Sequence, residues 1–97
     1  RKANSFWSRA KGLLGRRSLA HGEGLLLYPC RGIHSYGMRF EFDAVYIDRQ
    51  YRVIHIVERM PPNRSGPMLK ESYAILELPA GIIADTKTAI GDRLLFR

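Results

Sequence analysis

The chain has 97 residues, 45% of them apolar, and a formal net charge of +7. Its length and composition indicate one domain, residues 1–97, whose hydrophobic core needs neither a disulfide framework nor a structural metal. No apolar run exceeds four residues, as in residues 25–28, which excludes a membrane-spanning helix because such a helix needs roughly 20 apolar residues.

The first seventeen residues carry almost all of the net charge. They contain six basic residues and no acidic one, whereas residues 18–97 hold ten basic and nine acidic residues. Because the body of the domain is nearly neutral, we expect its partner to be a small molecule or a protein, and nucleic acid is disfavoured. Binding of an anionic polymer by the basic segment, residues 1–17, stays open as a further alternative.

The N-terminal segment has the periodicity of a short helix. Residues 1–9 form a basic arm that leads into the domain, and within residues 5–14 apolar side chains recur at spacings of three and four. These side chains are Phe6, Ala10, Leu13 and Leu14. Ser5 suits the start of the helix as a capping residue, and Gly15 suits its end because glycine accepts the left-handed conformation found there.

From residue 24 onward the sequence has short apolar runs rich in Val, Ile, Tyr and Phe, separated by turn residues. This pattern is typical of β-strands. The predicted strands cover residues 24–28, 40–48, 52–58, 72–78 and 93–96. The second and third runs are apolar on both faces, as central strands are, and residues 48–51 suit a tight hairpin between them.

The remaining segments complete a mainly β domain. Three prolines within residues 61–70 remove backbone donors and predict a loop, and residues 82–88 suit one or two helical turns. Several short strands without long intervening helices indicate a small antiparallel β-sandwich or barrel-like fold with one or two short helices.

Residues 30–43 concentrate the chemically active groups: one thiol, one imidazole, two arginines, a methionine and two carboxylates. Cys30 and His34 are candidates for a nucleophile and its base, with Asp43 orienting the imidazole, since a thiol needs a neighbouring base or cation to react at neutral pH. In an extended chain four residues span roughly 13 Å, so the pair needs a turn at residues 31–32. The structural alternative is a buried Cys30 and a His34 bonded to the backbone.

The same segment supplies groups for binding a ligand. Arg39 could hold a carboxylate or a phosphate through paired hydrogen bonds, or form an internal salt bridge to Asp43 or Glu77. Both carboxylates lie in apolar strands, where we expect them to pair with arginines or cap backbone groups, because an isolated buried charge is costly. The candidate ligand-binding residues are Cys30, His34, Met38, Arg39, Asp43 and Glu77.

A metal site is not indicated by the sequence. Zinc needs three or four ligands at fixed geometry, and Cys30, His34 and Asp43 would have to be joined by His21 or His55 from elsewhere in the chain. The sequence contains no Cys-x-x-Cys pair. We therefore expect neither a metal nor a cofactor.

Six short motifs occur in a characteristic order along the chain. They are Gly12-Leu13-Leu14-Gly15-Arg16, Gly24-Leu25-Leu26-Leu27, Cys30-Arg31-Gly32-Ile33-His34-Ser35-Tyr36-Gly37-Met38-Arg39, Asp43 with Asp48, Leu76-Glu77-Leu78-Pro79-Ala80-Gly81, and Gly91-Asp92. In this order the sequence resembles the domain of unknown function 192 family over residues 10–96. It is similar to a branch of that family with Cys and His before Gly-Met-Arg, although Ser35 stands where the branch often has Thr. The resemblance implies a compact β-sandwich-like or barrel-like domain, found mainly in bacteria and archaea, with no established activity.

The leading functional hypothesis is a non-catalytic binding or interaction module with its site near residues 30–43. The alternative is a small hydrolase or transferase that uses Cys30 and His34, so enzyme activity stays open but is not favoured. The single cysteine favours a reducing compartment, and hence the cytoplasm. The sequence begins at Arg1 without a methionine, so export through a preceding signal peptide stays open.

Overall fold

The structure, a computed structural model, describes residues 24–94. This part of the chain contains four strands and one short helix. Their bounds are β1 Leu25–Leu27, β2 Phe42–Ile47, β3 Val53–Met60, β4 Ala74–Pro79 and α1 Ile82–Thr86. The helix predicted at residues 5–14 and the basic arm lie outside the described residues.

The four strands form one antiparallel sheet in the order β1, β4, β2, β3. In the middle of the sheet, Val45 of β2 lies opposite Ile56 of β3 on one side and Leu76 of β4 on the other. Strand β4 in turn pairs with β1, where Leu26 lies opposite Leu76. All six residues of β2 are buried, as expected for a central strand that is covered on both faces.

The sheet separates two apolar cores. The buried members of the first, which we call the loop-side core, are Leu25, Leu27, Cys30, Ile33, Met38, Phe40, Phe42, Ala44, Tyr46, Met60 and Ile75. The buried members of the second, the helix-side core, are Val45, Ile47, Val53, Ala74 and Ile83. Alternate residues of β2 therefore serve opposite cores. This alternation fixes the register of the strand, because a shift by one residue would exchange its two faces.

A tight turn joins β2 to β3 and is held by Asp48. The Oδ1 atom of Asp48 accepts hydrogen bonds from the backbone N–H groups of Gln50 and Arg52, both at 2.9 Å. Tyr51 adopts a positive φ of 62°, the conformation for which such turns usually employ glycine. The hairpin predicted at residues 48–51 is confirmed, with side-chain capping of the turn in place of a glycine.

The prediction of a mainly antiparallel β domain with one or two short helices is confirmed. Each predicted strand up to residue 78 overlaps an observed strand, and the predicted helical turns contain α1. Near the C-terminal end, Arg93 forms an isolated antiparallel bridge with Arg52, while residues 95–97 lie outside the described part. No helix within residues 24–94 is long and apolar enough to cross a membrane.

Candidate functional site

Cys30 places its thiol in the loop-side core. Its side chain is buried, and Sγ donates a hydrogen bond to the carbonyl oxygen of Gly32 at 3.0 Å. The backbone N–H of Cys30 donates to the carbonyl oxygen of Tyr73, and its own carbonyl oxygen accepts the Ser72 hydroxyl, each at 2.8 Å. The segment around Cys30 is therefore fixed against the residues that lead into β4.

His34 and Arg39 lie at the surface. The His34 ring stacks on the Tyr36 ring, with the two centroids 5.3 Å apart. Arg39 is exposed, whereas its neighbour Met38 is buried in the loop-side core. Cys30 and His34 thus have separate partners, the first in the interior and the second in a surface aromatic pair.

Asp43 binds backbone groups from three parts of the chain. Its side chain is fully buried in the sheet. The Oδ1 atom accepts the Arg59 N–H at 2.8 Å, and Oδ2 accepts the N–H groups of Gly81 at 3.1 Å and Ile83 at 2.7 Å. The carboxylate therefore caps the start of α1 and links it to β2 and β3, which is the backbone-capping role that the sequence predicted for a carboxylate in an apolar strand.

Glu77 lies in β4, opposite Leu25 of β1 and Ala44 of β2, so its side chain faces the loop-side core. It is 5% exposed. The six candidate ligand-binding residues are thus divided among the loop-side face, the helix-side face and the surface. Among the residues that the structure describes, no three His, Cys, Asp or Glu side chains are grouped closely enough to hold a metal ion.

Ser35 joins the segment before β2 to the loop after β3. Its buried hydroxyl donates a hydrogen bond to the Pro61 carbonyl oxygen at 2.6 Å and accepts the Arg64 N–H at 2.9 Å. Its backbone N–H donates to the Arg64 carbonyl oxygen at 2.8 Å, and its carbonyl oxygen accepts the Asn63 N–H at 3.0 Å. These bonds give the hydroxyl of Ser35 a structural role at the centre of the Cys30 to Arg39 motif.

Replacing Ser35 with alanine is expected to lower the free energy of unfolding by about 1–2 kcal/mol, because Pro61 and Arg64 lose their side-chain partner. Urea denaturation of the purified chain measures this loss. Ser65→Ala, at an exposed hydroxyl of the same loop, is the matched control and is expected to change the free energy by less than about 0.5 kcal/mol. Equal effects of the two substitutions would contradict a specific role for Ser35.

Tyr46 is a buried titratable residue whose chemistry the sequence did not reveal. Its hydroxyl donates a hydrogen bond to the Pro67 carbonyl oxygen at 2.8 Å. Burial, and to a lesser degree the charge of nearby Cys30, raises the pKa of Tyr46 from 10.0 to about 12. Gly66 leaves room for this hydroxyl, because a Cβ atom at residue 66 would lie only 2.7 Å from the Tyr46 oxygen.

Beside Cys30, the surface forms an open groove with a volume of about 380 Å³. Three segments form its walls: the residues on either side of Cys30, the turn between β2 and β3, and the loop that leads into β4. The lining residues are Pro29, Arg31, Asp48, Arg49, Gln50, Lys70, Glu71, Ser72 and Tyr73. We call this feature the Arg49 groove.

Positive charge predominates in the Arg49 groove, where Arg31, Arg49 and Lys70 contribute three cations. The guanidinium carbon of Arg49 lies 4.8 Å from the centre of the Tyr73 ring, a cation–π contact. Of these cations, only Arg31 belongs to the segment in which the sequence predicted a site. Lys70 and Arg49 are distant from Arg31 along the chain. A hydrogen bond from the Leu69 N–H to the Arg31 carbonyl oxygen brings Lys70 beside it, and the pairing of β2 with β4 brings the turn that carries Arg49 beside the residues that lead into β4.

The fold and the groove define a small antiparallel β domain with an open surface groove. The sequence matches the model of the DUF192 family, described as an uncharacterized ACR, over residues 1–96. The chain belongs to this family, as its motifs predicted. A comparison with curated proteins gives no match.

Two solved structures share the fold of this chain. A protein of unknown function from Novosphingobium aromaticivorans aligns with a TM-score of 0.77 and 23% sequence identity, over 91% of this chain and 67% of that chain. A protein from Sinorhizobium meliloti, described as a candidate transcription regulator, aligns with a TM-score of 0.71 and 24% identity, over 88% of this chain and 70% of that chain. At these identities the similarity concerns the fold alone.

Proposed function

We propose that this domain is a non-catalytic binding module and that its ligand occupies the Arg49 groove. The volume of about 380 Å³ carries this proposal, because small-molecule sites in proteins occupy roughly 300–1,000 Å³. The groove combines the aromatic ring of Tyr73 with charged and polar side chains. Such sites use this mixture for contact area and for orientation of the ligand. The groove includes Arg31 and so overlaps residues 30–43, where the sequence predicted a site.

Backbone hydrogen bonds connect the walls of the groove. The N–H of Cys30 donates to the Tyr73 carbonyl oxygen, and the N–H of Tyr73 donates to the Ile47 carbonyl oxygen, both at 2.8 Å. On the other side, the Leu69 N–H donates to the Arg31 carbonyl oxygen, also at 2.8 Å. These bonds join the wall segments to one another and to β2. A site that is formed before binding avoids the entropic cost of ordering loops around the ligand.

Catalysis by Cys30 and His34 has weaker support. A nucleophilic thiol needs a neighbouring base or cation and access for a substrate. The Cys30 thiol instead donates to the Gly32 carbonyl oxygen and is buried, and the His34 ring lies against Tyr36. Binding in the groove requires neither residue to react, and for this reason we favour it over a hydrolase or transferase function.

Mapping of small organic fragments by amide nuclear magnetic resonance tests the proposal. We expect a subset of neutral and charged fragments to shift the amide signals of the groove walls in a saturable manner. Gln50→Trp places a large ring at the exposed rim of the groove and is expected to weaken these fragments by about tenfold or more through steric exclusion. Ala84→Trp, at an exposed position of α1, is the matched control and is expected to leave them unchanged.

Two results would overturn the proposal. One is that fragments shift only amides outside the groove walls. The other is that Gln50→Trp and Ala84→Trp weaken binding equally, because only the first substitution obstructs the groove.

A further inference from the structure

We infer that the Arg49 groove recognises a small anion, a compound that presents a carboxylate or a phosphate group. This inference rests on the proposed function, because it names the class of ligand for the same groove. Three observations carry it: the cations in the walls, the partners of the neighbouring carboxylates, and the contact of Arg49 with the Tyr73 ring.

The three cations of the groove are available to a ligand. Arg31, Arg49 and Lys70 are exposed and line the same depression. Among the side chains of residues 24–94, one ion pair is present. It joins Arg59 to Glu41 at the surface, at 3.5 Å, and lies outside the groove. No carboxylate of the described residues is therefore within ion-pair distance of the three groove cations.

The two carboxylates of the groove do not balance these cations. Asp48 is bound into the turn, where its Oδ1 atom accepts the N–H groups of Gln50 and Arg52. Its orientation is thus set by the backbone of the turn. Glu71 is the second acidic residue of the lining, so two negative side chains face three positive ones. The groove therefore keeps a formal excess of one positive charge.

Arg49 is held in place by an aromatic ring of the groove. Its guanidinium group lies over the ring of Tyr73, with 4.8 Å between the guanidinium carbon and the ring centre. This cation–π contact holds the guanidinium group at the rim of the groove. A guanidinium group carries five N–H donors and can pair with two oxygen atoms of a carboxylate or phosphate. Tyr73 therefore restricts the motion of the group that would bind the anion.

Titration of the full chain with inorganic phosphate and with succinate tests the inference. Sodium chloride at matched ionic strength is the reference, and amide nuclear magnetic resonance is the measurement. We expect saturable shifts at the groove walls for at least one of the two anions, weakening as salt is raised. Comparison of the phosphate and succinate titrations identifies which oxyanion the groove prefers.

Variants identify the cations responsible. Arg31→Gln combined with Arg49→Gln is expected to weaken anion binding by about tenfold or more. Each substitution removes a guanidinium group, and the anion loses the charge-assisted hydrogen bonds from that group. Arg39→Gln removes an exposed cation that does not line the groove and is the matched control, expected to bind as the unaltered chain does. The amide spectrum of each variant reports whether it is folded.

The outcomes separate this inference from the proposed function. If neutral fragments occupy the groove while phosphate and succinate shift no amide there beyond the chloride reference, the groove binds ligands and the inference of an anion is wrong. If Arg39→Gln weakens anion binding as much as the double variant, the inference is also wrong. If neither fragments nor anions bind, both proposals fail.

Discussion

Replacing Asp43 with alanine is expected to lower the free energy of unfolding by about 3–5 kcal/mol. The fully buried carboxylate accepts three backbone hydrogen bonds, from Arg59, Gly81 and Ile83. Hydrogen bonds to an ionised acceptor are stronger than neutral ones, and each donor left without a partner in the interior adds its own desolvation cost. Urea denaturation at neutral pH measures the effect.

Two further variants show whether the loss comes from these hydrogen bonds. Asp43→Asn keeps the shape of the side chain, but its NH2 group is a donor that faces backbone N–H groups in place of an acceptor. We expect this variant to be less stable than the unaltered chain and more stable than Asp43→Ala. Asp85→Ala removes an exposed carboxylate from α1 and is expected to change stability by less than about 0.5 kcal/mol. A chain with Asp43→Ala that unfolds at the same urea concentration as the control would contradict the assigned role.

The second large effect is a loss of stability at alkaline pH through Tyr46. The pKa of Tyr46 is raised from 10.0 to about 12 in the folded chain, chiefly by burial. The folded state therefore holds the phenolic proton more tightly than the unfolded state does. This contribution is fully present below pH 10.0 and is lost as the pH rises through about 12. Linkage predicts a decrease of about 2 kcal/mol in the free energy of unfolding across this window.

Tyr46→Phe separates this effect from the titration of other residues. The variant lacks the hydroxyl that donates to Pro67, so it should be somewhat less stable at neutral pH. Between pH 10 and 12 it should lose about 2 kcal/mol less than the unaltered chain. Urea denaturation at several pH values provides the comparison. Parallel losses in the two proteins would show that Tyr46 does not titrate as the structure indicates.

The strands could be predicted from the sequence because their signal is local. β2 and β3 carry Val, Ile and Tyr on both faces, and turn residues mark the ends of each run. The order of the strands in the sheet was not predictable in the same way. β4 lies between β1 and β2, and this placement depends on which apolar surfaces fit together over long separations in the sequence.

The candidate site was less predictable for the same reason. Residues 30–43 contain many reactive groups, but these groups lie in different environments. The Cys30 thiol lies in the loop-side core, His34 lies on the surface, and Asp43 binds the backbone at the start of α1. Density along the chain does not bring side chains together, since residues 30–41 form an irregular segment before β2 and each side chain there follows the local direction of the backbone. The Arg49 groove instead gathers residues from three separate segments, and no single motif contains all of them.

Cys30 stands between two groove residues, Pro29 and Arg31, while its own side chain packs inward. One short stretch of main chain therefore has the Arg49 groove on one side and the loop-side core on the other. Well-packed interiors transmit small displacements instead of absorbing them. If a ligand in the groove displaces this stretch, we expect it to displace the Cys30 thiol among its apolar neighbours as well, so that binding would change the packing of the loop-side core.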